Sequence, residues 1–125
     1  MTTHEIQLKR AYDDVSDDDG YRILVDRLWP RGVAKERAQI DLWAKDITPT
    51  TDIREEFHHD PKLFPHFKEE YLTELKANPK VPDFIQTVAD HLKKGNVTFV
   101  YAAKDPVYNH VVILKDYVEK HMPKK

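Results

Sequence analysis

The sequence predicts an α/β fold: a small sheet of about three or four strands, at least partly parallel, with helices packed on it. Two short segments rich in β-forming residues lie near the start of the chain, and a long helical stretch follows them. A continuous apolar segment at 97–103 then precedes one last helix. A strand that is reached through a long helical connection pairs in parallel with an earlier strand. At 125 residues, we expect one domain spanning 1–125.

The first quarter of the chain predicts two strands separated by a loop. Apolar residues alternate weakly with polar ones over 6–12, which favours a half-buried strand. Segment 13–20 is acidic and ends in glycine, so we expect an exposed loop there. Segment 21–25 is the second strand, and Pro30 with Gly32 ends regular structure after it.

The middle of the chain predicts helices whose starts are marked by proline. A short helical turn is expected at 34–38, and 40–46 carries no clear pattern. Thr48 with Pro49 is typical of a helix start, and this helix is expected to reach Phe57.

Two longer helices are predicted from apolar residues at helical spacing. The first starts near Asp60 and Pro61 and ends before Pro79; the second starts near Pro82 and ends at Gly95. The residues expected to face the core are Phe64, Phe67, Tyr71 and Leu75 in the first, and Phe84, Ile85, Val88 and Leu92 in the second.

The end of the chain predicts a central strand and a final helix. Segment 97–103 is the most continuous apolar run in the chain, which is typical of a strand buried on both faces. The helix is expected over 109–121. Its inward residues are predicted to be Val111, Leu114, Tyr117 and Val118.

Composition excludes several classes of function. The chain has no cysteine, which rules out disulfides, thiolate nucleophiles and cysteine metal sites. Its formal net charge of -2 provides no global attraction to nucleic acid or to an anionic membrane. Since the first residues lack a signal-peptide pattern and no apolar run is long enough to span a bilayer, we expect a cytoplasmic protein without membrane association.

Charged side chains follow the two strands that are expected to pair. Segment 26–31 follows the second strand, and 104–110 follows the central strand. In open α/β sheets ligands bind beyond the carboxyl ends of the strands, so we expect these segments to form a functional cleft. The candidate catalytic residues are Asp26, Lys104, Asp105 and His110. The candidate substrate-binding residues are Arg27, Trp29, Arg31, Lys45, Asn109 and His59.

The residue types in this cleft point to an anionic ligand. Arginine binds carboxylate or phosphate through paired N–H groups, and Asn109 with His110 is expected at a helix N-terminus, which favours an anion. Lys104 is expected to act as an anion clamp, with a role as a base as the alternative. A structural role is an open alternative, in which Arg27 pairs with an acidic residue and Trp29 belongs to the core.

Histidines elsewhere form a second candidate. His58, His59 and Asp60, together with His66, are residue types that bind zinc. We expect a polar helix junction rather than a metal site, because adjacent histidines on a helix point in different directions. The sequence specifies no cofactor and no oligomeric state.

Three motifs together resemble a known family. These are VDRLWPRG at 25–32, DLWAKD at 41–46, and YAAKD at 101–105 followed by Asn109 and His110. In order and spacing they resemble the domain-of-unknown-function 488 family, and most closely its short, YeaO-like branch. The resemblance covers nearly the whole chain. It implies a small cytoplasmic protein of bacterial or archaeal type, in a family whose name states no activity.

The chain departs from the longer members that it resembles. Their last strand commonly ends in a Cys-x-Glu pattern followed by Cys-His-Arg, whereas the corresponding positions here are YAA at 101–103 and NHV at 109–111. Arg27, Pro30 and His110 carry over from the resemblance, and both cysteines do not. A thiol mechanism is therefore excluded for this chain.

Three hypotheses for function follow. The first is an enzyme acting on a small phosphorylated or nucleotide-like substrate, in which His110 moves protons with Asp26 or Asp105. The second is a non-catalytic module that binds a ligand or a partner in the same cleft. The third, nucleic-acid binding, is disfavoured by the acidic net charge. It would use Arg27, Arg31, Lys35, Arg37 and Lys45.

Overall fold

The computed structural model describes residues 4–57, 60–102 and 109–122. Its sheet has four strands in the order β1-β4-β2-β3. The strands are β1 (Ile6–Arg10), β2 (Tyr21–Leu24), β3 (Leu42–Trp43) and β4 (Val97–Tyr101). Each neighbouring pair is parallel, which confirms the predicted α/β class and makes the sheet parallel throughout.

Five α-helices accompany the sheet in the described part of the chain. They are α1 (Lys35–Ala38), α2 (Thr51–Phe57), α3 (Phe64–Ala77), α4 (Val81–Leu92) and α5 (His110–His121). Short 3₁₀ helices lie at Asp17–Asp19, Lys45–Ile47 and Pro61–Leu63. None of the described helices is long and apolar enough to cross a membrane.

The position of β4 explains its continuous apolar sequence. Phe99 lies opposite Leu8 of β1 and Ile23 of β2, and all five residues of the strand are buried. Val97, Phe99 and Tyr101 face the core that the helices cover. Val100 belongs to a smaller cluster on the opposite face. A strand buried on both faces favours apolar residues, as the sequence predicted; its one polar residue, Thr98, is buried and its hydroxyl donates to the Asp19 carbonyl at 2.7 Å.

The inward faces of the long helices agree with the spacing of their apolar residues. Phe67, Tyr71 and Leu75 of α3 are buried, as are Val111 and Leu114 of α5. The helix starts differ more. α2 begins at Thr51, three residues after the predicted start at Thr48. Thr48 and Pro49 are buried, and their carbonyl groups accept hydrogen bonds from the Arg27 side chain instead of from the N–H groups of a helix.

Segment 13–20 is not the fully exposed loop that its acidity predicts. Asp17–Asp19 forms a 3₁₀ turn capped by Ser16, and Asp19 is only 2% exposed. The physical reason is Arg22, a buried arginine of β2 whose Nη1 donates to Asp19 Oδ2 at 2.6 Å. A buried cation requires a counter-charge, so the loop folds back onto the sheet.

Segment 40–46, which carried no clear pattern, contains the short edge strand β3. Leu42 and Trp43 pair with Ile23 and Leu24 of β2. A strand of two residues is too short to show the alternation by which strands are recognised.

Candidate functional site

The carboxyl ends of β2 and β4 meet at the edge of the sheet, as their parallel pairing requires. The Val25 N–H donates to the Val100 carbonyl at 3.0 Å. One step further, the Ala102 N–H donates to Asp26 Oδ2 at 2.8 Å. The Asp26 carboxylate therefore replaces a backbone acceptor and holds the two strand ends together.

His110 joins Asp26 at this edge. It is the first residue of α5, which Asn109 caps by accepting the Val112 N–H at 3.0 Å. Its Nε2 lies 2.6 Å from the Val25 carbonyl and 3.3 Å from Asp26 Oδ1. Because a carbonyl oxygen only accepts, Nε2 carries the proton and donates it to these oxygens. The structure thus brings the predicted pair Asp26 and His110 together, with side chains 15% and 16% exposed.

Arg27 lies beyond the end of β2 and binds backbone rather than a carboxylate. Its Nε donates to the Pro49 carbonyl at 3.2 Å, and its Nη2 donates to the Thr48 carbonyl at 3.3 Å. These bonds fix the guanidinium without neutralising it, since carbonyl oxygens carry no net charge. Among the residues that the structure describes, no other acceptor for its N–H groups is found.

A cavity of about 290 Å³ lies beside Arg27. Its acidic wall residues already have partners. Glu74 accepts from the N–H and the hydroxyl of Thr50 at 3.1 and 2.6 Å. Asp46 pairs with Lys80 at 3.0 Å, and the hydrogen bond and charge of Lys80 lower the pKa of the Asp46 carboxyl. Arg27 is the cation among the described residues that line the cavity. No carboxylate of the described residues lies within 4.0 Å of its guanidinium nitrogens.

Tyr71 connects this cavity to His110. Its ring makes an edge contact with the His110 ring at 6.3 Å between centroids, and its hydroxyl donates to the Ile47 carbonyl at 2.8 Å. Burial raises the pKa of Tyr71 well above its usual value, and the charge of Glu74 raises it further. The hydroxyl therefore stays protonated, and its hydrogen bond joins two residues that line the cavity, Tyr71 and Ile47.

The other predicted site residues are placed as follows. Trp29 lies among the small cluster of the sheet's second face, and its indole N–H donates to the Val33 carbonyl at 2.6 Å. Arg31 is exposed, and the Lys45 ammonium lies 5.0 Å from the centre of the Trp43 ring. No contact in the described part of the chain joins the side chain of Arg31 or Lys45 to His110. Three further candidates, His59, Lys104 and Asp105, lie outside the described residues.

Sequence reasoning missed Tyr71 and Glu74 as site residues. Tyr71 was assigned only to the apolar face of its helix, and nothing in its spacing distinguishes a cavity wall from the core. The buried ion pair of Arg22 and Asp19, which lies outside this site, could have been predicted, because a charged residue within a short apolar strand indicates a buried partner.

Comparisons with known proteins show a family and name no activity. The model of a family described as "Inactive DUF488-N3 subclade" matches residues 5–125. The chain is 43% identical over 113 residues to the uncharacterized protein YeaO of Escherichia coli K12, covering 90% of this chain and 96% of YeaO. It is 32% identical over 109 residues to an uncharacterized protein of Mycobacterium tuberculosis H37Rv, covering 87% and 89% of the two chains. No solved structure matches with significance.

Proposed function

Because the chain belongs to the DUF488 family, within the subclade described as inactive, we propose that it is a non-catalytic cytoplasmic module that binds a small anionic ligand. The single observation that carries this proposal is Arg27, a guanidinium held by two carbonyl groups beside a cavity at the carboxyl edge of the sheet. The comparisons confirm the family membership that the three sequence motifs indicated.

The chemistry of the cavity favours an anion. Arginine forms paired, charge-assisted hydrogen bonds to phosphate or carboxylate, and a guanidinium that is already oriented loses less freedom on binding. The neighbouring Glu74 and Asp46 are engaged by Thr50 and Lys80, which reduces their competition for Arg27. At about 290 Å³, the cavity is just below the range of about 300–1,000 Å³ for ligand sites, which favours a small phosphorylated metabolite.

The contacts of Asp26 and His110 support a role without catalysis. The Nε2 proton of His110 is bound by the Val25 carbonyl, and Asp26 accepts the Ala102 N–H. Asp26 therefore joins the end of β2 to the end of β4, and His110 joins the end of β2 to the start of α5. A general acid–base pair has to release its proton to a substrate, which these contacts oppose.

A second candidate function, catalysis on the same anion, rests on the 3.3 Å contact between His110 and Asp26. A carboxylate that orients a histidine is also the arrangement of hydrolytic enzymes. The two functions predict different results for His110→Gln. A binding module keeps its ligand affinity in this variant and shows no turnover before or after the substitution, whereas an enzyme loses turnover.

The proposal predicts that phosphate, nucleotides or sugar phosphates raise the melting temperature of the protein and that Arg27→Lys weakens this effect. Loss of a charge-assisted hydrogen bond costs about 1.5–3 kcal/mol, so we expect the affinity to fall about ten- to hundredfold. Isothermal titration calorimetry at fixed ionic strength measures it. Arg54→Lys, at an exposed position of α2, is the matched control and is expected to bind like the wild type.

Two results would contradict the proposal. One is an absence of binding by the wild-type chain across these three ligand classes. The other is an affinity of Arg27→Lys equal to that of the wild type, which would place the anion elsewhere.

A further inference from the structure

A group of three metal-ligating side chains lies at the junction of α2 and α3, away from the cavity beside Arg27. Glu56 belongs to the last turn of α2, and His66 and Glu70 lie one turn apart on α3. One ligating atom from each residue lies within 4.8 Å of the other two. We propose that Glu56, His66 and Glu70 bind a single zinc ion.

The distances within this group suit a zinc ion. His66 Nε2 lies 2.8 Å from Glu56 Oε1 and 3.2 Å from Glu70 Oε1. Zinc binds histidine nitrogen and carboxylate oxygen at about 2.0–2.2 Å, so a tetrahedral ion holds neighbouring ligand atoms about 3.4 Å apart. Both observed distances are shorter than this separation, so the ligand atoms would move apart by a few tenths of an ångström to coordinate the ion.

The helices that carry the ligands pack against each other through aromatic rings. Phe57, next to Glu56, stacks on Phe67, next to His66, with 4.4 Å between ring centroids. Phe64 packs against Phe57 as well, at 5.8 Å. Because both aromatic contacts are adjacent to ligands, the core fixes the spacing between α2 and α3 and preorganises the three side chains.

The charges at this junction favour a cation. The two carboxylates share His66 as their partner, and in the described part of the chain neither lies within 4.0 Å of a lysine or arginine nitrogen. Two carboxylates around one imidazole leave a net negative charge whether or not the ring is protonated. A divalent ion would neutralise that charge and release a proton from the ring when it is protonated.

The ligand types indicate which ion is bound. One imidazole with two carboxylates is a mixed nitrogen and oxygen set, which suits zinc better than the all-oxygen ions calcium and magnesium. Three protein ligands leave a fourth position for water. The site differs from the histidine cluster considered from the sequence, because only His66 belongs to both.

Equilibrium dialysis of the metal-free full chain against Zn²⁺, followed by elemental analysis, tests the proposal. We expect one zinc per chain, together with a rise in melting temperature, since an ion that binds only the folded state stabilises it. His66→Ala and Glu70→Gln are each expected to weaken binding at least tenfold. The side chains of His66 and Glu70 are 59% and 31% exposed, and glutamine keeps the shape of glutamate, so both variants are expected to fold, which circular dichroism verifies.

Glu69→Gln is the matched control, because Glu69 is an exposed carboxylate next to Glu70 on α3 and lies outside the group. It is expected to bind zinc like the wild type. Failure of the wild-type chain to retain zinc would overturn the proposal. So would retention of zinc by His66→Ala, especially if a variant lacking both His58 and His59 lost it. These results are independent of Arg27 and of the proposed anion ligand.

Discussion

Replacing Asp19 with asparagine is expected to lower the free energy of unfolding by about 3–5 kcal/mol, the usual cost of removing one partner of a buried ion pair. The side chains of Asp19 and Arg22 are each 3% exposed, and the Arg22 Nη1–Asp19 Oδ2 distance is 2.6 Å. In the variant, the buried Arg22 guanidinium would lose the carboxylate to which its Nη1 donates. Chemical denaturation monitored by circular dichroism measures the change.

The surroundings of this pair increase the expected cost. Asp19 also accepts from the Lys9 ammonium at 3.1 Å and from the Ser16 N–H at 3.0 Å. Arg22 donates through Nε to the Ala38 carbonyl, whereas its Nη2 has no acceptor among the residues that the structure describes. The pair therefore joins the 3₁₀ turn to β1, β2 and α1. Asp41 accepts the backbone N–H of Arg22 at 2.9 Å, but in the described part of the chain Asp19 is the only carboxylate that pairs with its guanidinium.

Asp18→Asn is the matched control for Asp19→Asn. Asp18 is the neighbouring acid of the same turn, and its exposed side chain makes no ion pair in the described part of the chain. Its substitution is expected to change stability by less than about 0.5 kcal/mol. Equal stability losses in the two variants would contradict the assignment of Asp19 as the buried counter-charge.

The same carboxyl makes stability depend on pH. Burial raises the pKa of Asp19, but hydrogen bonds from Ser16, Lys9 and Arg22, with the charge of Lys9, lower it more, so the pKa lies below its ordinary value of 3.8. The unfolded chain then binds protons more readily than the folded chain. The contribution of Asp19 to stability is therefore complete above the ordinary pKa and is lost as pH falls below it.

Unfolding measured from neutral pH to well below 3.8 tests this dependence. The stability of the wild type is expected to fall more steeply over the acidic end than that of Asp19→Asn, because the variant has no carboxyl at this position. Parallel pH profiles would show that Asp19 is not a source of the acid sensitivity.

Replacing Gly20 with alanine is expected to destabilise the protein by more than the roughly 0.5–3 kcal/mol of an ordinary substitution. Gly20 has φ of 66°, and a Cβ atom there would clash with the Asn96 carbonyl oxygen and lie 2.7 Å from the carbonyl carbon. That oxygen accepts the Tyr21 N–H at 3.0 Å, at the start of the β2–β4 pairing. Relief of the clash would separate the two strands. Chemical denaturation or a thermal melt measures the loss.

Substitutions at the other two glycines distinguish the effect of a steric clash on stability from the effect of a left-handed backbone conformation. Gly32 has φ of 78°, but a Cβ atom there would have no neighbour within 4 Å, so Gly32→Ala is expected to cost only the roughly 1–2 kcal/mol of a left-handed residue. Gly95 has open space and no such φ, so Gly95→Ala is expected to be nearly neutral. A Gly20→Ala variant no less stable than Gly32→Ala would contradict the close approach of Gly20 to Asn96.

The fold and part of the candidate site follow from local patterns in the sequence. Apolar residues at helical spacing located α3, α4 and α5, and the apolar run of 97–103 located β4 at the centre of the sheet. From parallel pairing alone, Asp26 and His110 were expected at one edge, and they lie 3.3 Å apart. These predictions succeed because periodicity and strand order depend on the burial of whole elements.

The partners of individual polar groups could not be predicted in the same way. Two N–H groups of Arg27 bind the carbonyls of Thr48 and Pro49, contacts that the sequence did not predict; the expectation that it binds an anion stays a prediction. Trp29 was a binding candidate, and its indole N–H is bound by Val33 on the second face of the sheet. Such contacts depend on distances of a few tenths of an ångström between segments far apart in sequence.

The sequence by itself therefore determined the α/β class, the central strand, the family and the exclusion of thiol chemistry, because each depends on residue type and local order. Only the tertiary structure decided that the two charged residues that follow β2 have different roles. Asp26 joins the ends of β2 and β4 and contacts His110 of α5, whereas Arg27 lines a cavity. Likewise, only the packing of α2 on α3 brings Glu56 to His66. The physical reason is that hydrogen bonds and ion pairs act over about 3 Å, a separation that the packing of complete elements sets.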